Sequence, residues 1–175
     1  MPTKIFGLPA HVLLIHLVVV LVPLTSLAVV LHAAWPAARR RLGVVTPLLG
    51  LVSLVLVPVT TNAGDYLERF LITQRHYGGQ VVTAIERHER LGRELIWYAI
   101  ALFVVTVGVW ALGRYQDGAS IPGIAPAGDA ARTAPQWLSY ATAGVAIAVA
   151  VATSIELYRI GDAGAHATWD GICCG

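Results

Sequence analysis

Four long apolar stretches dominate the chain: Ile5–Trp35, Leu42–Ala63, Leu95–Leu112 and Trp137–Ile155. Each approaches or exceeds the roughly 20 residues that a helix needs to cross a bilayer. No charged side chain occurs between Lys4 and Arg39, nor between Arg41 and Asp65. In lipid, only helices and closed barrels satisfy every backbone polar group, and runs of this length read as helices. Charged residues make up 13% of the chain, about half the share usual in soluble domains. The expected fold is therefore all-α: one up-down, four-helix integral membrane bundle over residues 1–175. The net charge of +2 is small and scattered, which gives no support to nucleic-acid binding.

An up-down path through four spans fixes which connections share a face. The N-terminus, the segment between the second and third spans, and the C-terminal tail fall together. That face receives His11, His16, His76, His88 and His166, and only His32 falls on the other. Imidazole is both a common metal and haem ligand and a proton carrier, so this asymmetry asks for a chemical reason.

The first stretch exceeds the roughly 7–15 apolar residues of a cleavable signal, and its basic cluster follows the apolar run. It reads as a retained span. The loop Trp35–Gly43 carries Arg39, Arg40 and Arg41 with no acid, which assigns it to the cytoplasm and both termini to the outside of the cell membrane. The segment Gly64–Glu94 carries five arginines, but these are interspersed with acids and weigh less. Trp35, Trp110, Tyr115, Trp137 and Tyr140 mark one interface, and Trp97, Tyr98 and Tyr158 the other.

Val81, Ile85, His88, Leu91 and Leu95 form a helical stripe leading into the third span. With Leu67 and Leu71 behind the second span and a turn at Gly78-Gly79, this predicts a protruding helical hairpin with His88 facing inward. Gly92, beside the stripe, allows close approach of a neighbouring helix. Gly113–Pro135 is rich in Gly, Pro, Ala and Asp and reads as a loop. On the fourth span, Gly144, Ala148 and Ala152 recur every four residues up to Glu156, a spacing that suits close helix contact. Glu156 and Arg159 are spaced to pair on one face. Pro23 falls within the first span and is expected to kink it, with Thr25 and Ser26 available to the freed backbone groups.

His16 is an ionisable residue inside an apolar run, and such residues usually face the bundle and have a partner. His11 lies about 140° away around an ideal helix and reads as interfacial. His88, with Arg87, Arg90 and Arg93 around it, has the setting of an axial ligand whose arginines meet haem propionates. The glycines after Tyr158 are expected to break the fourth helix, letting the tail carry His166 back over the bundle mouth. Cys173 and Cys174 stand adjacent at the C-terminus and offer no disulfide framework. No His-Glu-x-x-His motif, nucleophile elbow or phosphate loop occurs, so nothing identifies an enzyme.

Four segments together carry a resemblance: Gly7-Leu-Pro-Ala-His11-Val-Leu-Leu-Ile-His16, Thr60-Thr-Asn-Ala-Gly64-Asp65, Arg87-His88-Glu-Arg-Leu-Gly92, and Tyr158-Arg-Ile-Gly-Asp-Ala-Gly-Ala-His166. They resemble the uncharacterised membrane family called domain of unknown function 2231. The resemblance covers nearly the whole chain and implies a four-helix membrane protein with histidines on its first and third helices. Some relatives look to be joined to Rieske-type iron–sulfur domains, which implies electron transfer; this chain has no such domain.

The leading expectation is a small membrane redox protein holding b-type haem near the outer face. His16 and His88 are the expected axial ligands, Arg87 or Arg90 the propionate partner, and Glu156–Arg159 a supporting pair. One alternative places copper or zinc on His16, His88 and His166, with His11 as a fourth ligand. Another is a non-enzymatic accessory or assembly subunit of a larger membrane complex. The expected partners are membrane lipid, a redox partner or larger complex, and a second copy of the chain.

Overall fold

The computed structural model describes residues 4–5, 8–75, 80–118 and 135–169. Two-residue strands β1 (Lys4–Ile5) and β2 (Leu8–Pro9) pair antiparallel ahead of the first helix. Five helices follow: α1 (Ala10–Ala34), α2 (Pro36–Leu42), α3 (Val45–Arg75), α4 (Gln80–Gln116) and α5 (Gln136–Thr168). The four long ones are apolar and long enough to cross a membrane. This is an all-α, multi-pass, up-down bundle. In it α1 packs between α3 and α5, α4 also packs between them, and α1 and α4 face each other across the diagonal.

A seven-residue recurrence builds the core. Val18, Thr25 and His32 are buried on α1, Ser53 and Thr60 on α3, Leu95, Leu102 and Val109 on α4, and Ala146, Thr153, Ile160 and Ala167 on α5. Such a repeat keeps one seam of each helix against its neighbours in a gently supercoiled bundle. Outside the seam, Leu17, Val20, Leu27, Val55, Val104 and Val151 are exposed, as lipid contact requires.

Much of this core is hydroxylic. Thr25 Oγ1 lies 3.0 Å from Ser53 Oγ, and His32 Nδ1 lies 2.9 Å from Thr46 Oγ1. These bonds join α1 to α3 where no water could replace them. Thr25 also donates to its own Leu21 carbonyl at 2.8 Å. Ser26 Oγ is buried without a partner among the described residues. Gly50 lies where α3 meets Thr106 of α4, and a Cβ there would collide with the threonine hydroxyl.

The arginine loop is ordered as α2, with Pro36 opening the helix. Gly43 closes it at φ +43°, a conformation other L residues rarely adopt. Arg39 reaches across to Asp117 at 3.1 Å and to Gln116 at 2.8 Å, tying α2 to the end of α4.

The hairpin helices are as long as expected, 31 residues for α3 and 37 for α4. The turn at Gly78-Gly79, with His76, lies outside the described residues, as do positions 119–134 of the expected loop; Gly113–Gln116 of that loop is helical. Two expectations fail on α5. Gly161 and Gly164 do not break the helix, which runs on to Thr168, because a glycine costs only about 1 kcal/mol and packing outweighs it. Gly144, Ala148 and Ala152 face outward, since the packing seam of α5 is the Ala146–Ala167 series.

Candidate histidine cavity

At the end where the chain begins, the seam residues give way to histidines and glycines around a cavity of about 790 Å³. His11, in the first turn of α1, continues the recurrence of Val18, Thr25 and His32. His88 continues that of Leu95, Leu102 and Val109 on α4. The diagonal relation of α1 and α4 brings the two imidazoles face to edge, ring centres 6.2 Å apart and planes at 87°.

The two rings are held in the same way. His11 Nδ1 lies 3.0 Å from the Thr60 carbonyl of α3, and His88 Nδ1 lies 2.9 Å from the Ile160 carbonyl of α5. A carbonyl only accepts, so each Nδ1 carries the proton, and in the neutral ring Nε2 is left as the acceptor. Each carbonyl already accepts the amide four residues on, and the imidazole uses its second lone pair. That fourth residue is Gly64 in one case and Gly164 in the other. A Cβ on Gly64 would stand 3.0 Å from His11 Cε1, and one on Gly164 would stand 3.0 Å from His88 Cε1. The glycines thus open the approach to the carbonyls. The α1–α3 and α4–α5 pairs each carry this histidine–carbonyl–glycine arrangement.

The structure sets the ring of His11 against that of His88, and His16 lines the same cavity. His16 Nδ1 lies 2.6 Å from the Val12 carbonyl of its own helix, and its side chain is exposed. The difference is helix phase: His16 falls off the seam that carries His11. Sequence reasoning held His11 as a further metal ligand and not as the ring beside His88. The available signal was the seven-residue spacing of His11, Val18, Thr25 and His32.

Arg87 and Arg90 are exposed and do not line the cavity. His166 stays on the outer face of α5, 3.7 Å from Asp162. Continuation of the helix past Gly164 prevents the fold-back that would have brought it over the mouth. Glu156 is buried and takes a 2.7 Å bond from Arg159, but this pair also lies off the cavity wall. Its Oε1 has no partner among the described residues. Cys173 and Cys174 lie outside the described residues.

Acids line the wall instead: Asp65 and Glu68 from α3 and Glu89 from α4. Arg93 pairs with Glu89, and Arg69 and Arg93 act on the same cluster. Gly92 lines the cavity with open space where a Cβ would be, and its carbonyl accepts a bond from Thr61 of α3 at 3.4 Å. Among the described residues, no group of three or more His, Cys, Asp or Glu is arranged to hold a metal ion.

No family model, curated protein or solved structure matches this chain. The site therefore has to be read from its own geometry.

What that geometry offers is a pair of imidazoles on one cavity, each fixed through its Nδ1. Metal-ligating histidines are usually oriented in this manner, by a hydrogen bond to a carbonyl or carboxylate. Their ring centres lie 6.2 Å apart, close enough for both to border one bound group.

Proposed function

We propose that this chain is a small membrane redox protein that carries b-type haem between His11 and His88. The observation that carries the reading is the paired imidazole geometry: 6.2 Å between ring centres, with each Nδ1 committed to a backbone carbonyl. His11 and His88 would hold the group through imidazole nitrogen, within the ordinary chemistry of haem proteins, and the group would supply one-electron transfer when bound. Helix bundles build cofactor sites in this way, from side chains on facing helices. A cavity of about 790 Å³ walled by Gly64, Gly92, Gly161 and Gly164 suits a large flat group better than a bare ion.

The acids at the mouth supply a constraint. Asp65, Glu68 and Glu89 would repel propionates, so the anionic edge would turn to Arg69 and Arg93 or away from this wall. The same acids favour a second reading, a copper or zinc ion on His11 and His88. Two histidines make an incomplete set for such an ion, and this reading takes second place.

The visible spectrum of the purified protein, expressed with adequate haem supply, is the test. A Soret band is expected in the wild type and in His16→Ala, and its loss in His11→Ala and in His88→Ala. A band retained in both of the latter variants overturns the assignment. Absence of any band, with stoichiometric copper or zinc by elemental analysis, moves the site to the second reading.

A further inference from the structure

The cavity does not end at the histidine pair. On α1 its wall continues through Val12, His16 and Val19, and on α5 through Leu157, Gly161 and Ala165. Val12, His16, Val19, Gly161 and Ala165 are exposed, so the lining that α1 and α5 contribute is open to the surroundings. Around this opening, Leu13, Leu17 and Val20 are lipid-facing residues of a membrane span. A molecule dissolved in the bilayer can enter here without crossing water.

His16 stands at this opening with an unused acceptor. Its Nδ1 lies 2.6 Å from the Val12 carbonyl, which only accepts, so Nδ1 holds the proton and, in the neutral ring, Nε2 is an acceptor. An ionisable group in this position is costly in hydrocarbon unless something engages it. The other side chains named along the opening, Val12, Val19 and Leu157, are apolar. The complementary ligand is therefore an apolar molecule with a hydroxyl to donate.

We infer that His16 marks a lipid-side binding site for a quinol, an apolar ring whose phenolic hydroxyl donates to Nε2. The choice of a quinol rests on the haem reading above, because it is the membrane-soluble donor class suited to a one-electron group. Binding itself needs only His16 and the open lining that α1 and α5 contribute. His16 is a binding residue in this proposal and takes no part in holding the haem.

Equilibrium binding of a short-chain quinol and of its di-O-methyl ether to the full chain in nanodiscs tests the inference. The wild type should bind the quinol at least 10-fold more tightly than the ether, which has no hydroxyl to donate. His16→Leu should lose that preference, and His16→Gln, which retains an acceptor, should keep part of it. His88→Ala, designed to lose the haem, should still discriminate between the two ligands. Equal quinol binding by wild type and His16→Leu, with the Soret band intact, overturns this inference and leaves the haem reading standing. Discrimination that depends on His16 in a chain with no Soret band supports the site and removes the haem reading.

Discussion

Two glycines decide whether the histidine pair can form, because each uncovers the carbonyl that orients its imidazole. Alanine is the better helix residue by about 1 kcal/mol, so Gly64→Ala and Gly164→Ala should leave the fold as stable as before or more so. A methyl at 3.0 Å from the ring carbon nevertheless forces each imidazole to move. Loss of an orienting contact of this kind usually costs about 10–100-fold in affinity. Haem titration should show that weakening in either variant while the thermal midpoint of the apoprotein holds or rises. Acid should act on the same atoms, since ligation needs the neutral imidazole. Lowering the pH should release the bound group, read as a falling Soret band that recovers on neutralisation. Half of this site was legible in the chain. His88 declared itself by its place in an apolar stripe. His16 drew attention through its apolar neighbours, but helix phase, and not local hydropathy, decides which imidazole faces inward. The glycines could not be read from sequence at all, because their role exists only once an imidazole from another helix is placed against the carbonyl four residues before.

Between elements, the tightest test is the crossing of α3 and α4. Gly50 has no room for a methyl beside Thr106, whose hydroxyl donates to the Phe103 carbonyl at 2.7 Å. Gly50→Ala should destabilise the bundle by about 1–3 kcal/mol, the usual penalty for overpacking a close-packed core. Thr106→Ala in the same chain should restore part of that loss, since it removes the colliding hydroxyl. Contacting residues of this type show coupling of about 0.5–3 kcal/mol in a double-mutant cycle. Reversible unfolding in mixed detergent micelles measures all four corners of the cycle. Simple additivity would show that α3 and α4 do not meet there. The same crossing explains why the small residues on α5 misled sequence reasoning. Gly144, Ala148 and Ala152 have the spacing of a contact stripe, yet the bundle brings its helices together at Gly50 and along the Ala146–Ala167 series. Small residues permit close approach, and the seven-residue seam chooses where it happens.

At the scale of the whole molecule, four apolar runs were enough to dictate an up-down bundle, because lipid leaves a helical chain few other ways to satisfy its backbone. The path then gathers His11, His16, His88 and His166 at one end and leaves His32 at the other, beside Thr46. Charge predicts which end faces the cytoplasm. Arg39, Arg40 and Arg41 sit in the short α2 connection with no acid among them, and short connections next to the first span carry most weight in orienting a chain. Arg39 is also engaged by Asp117 and Gln116. The histidine cavity should therefore open on the outer side. In a chain with both native cysteines replaced, a cysteine at Glu86 on the cavity side should react with a membrane-impermeant maleimide in intact cells. A cysteine at Ala38 in α2 should react only after the cells are opened. The reverse pattern would place the cavity on the cytoplasmic side.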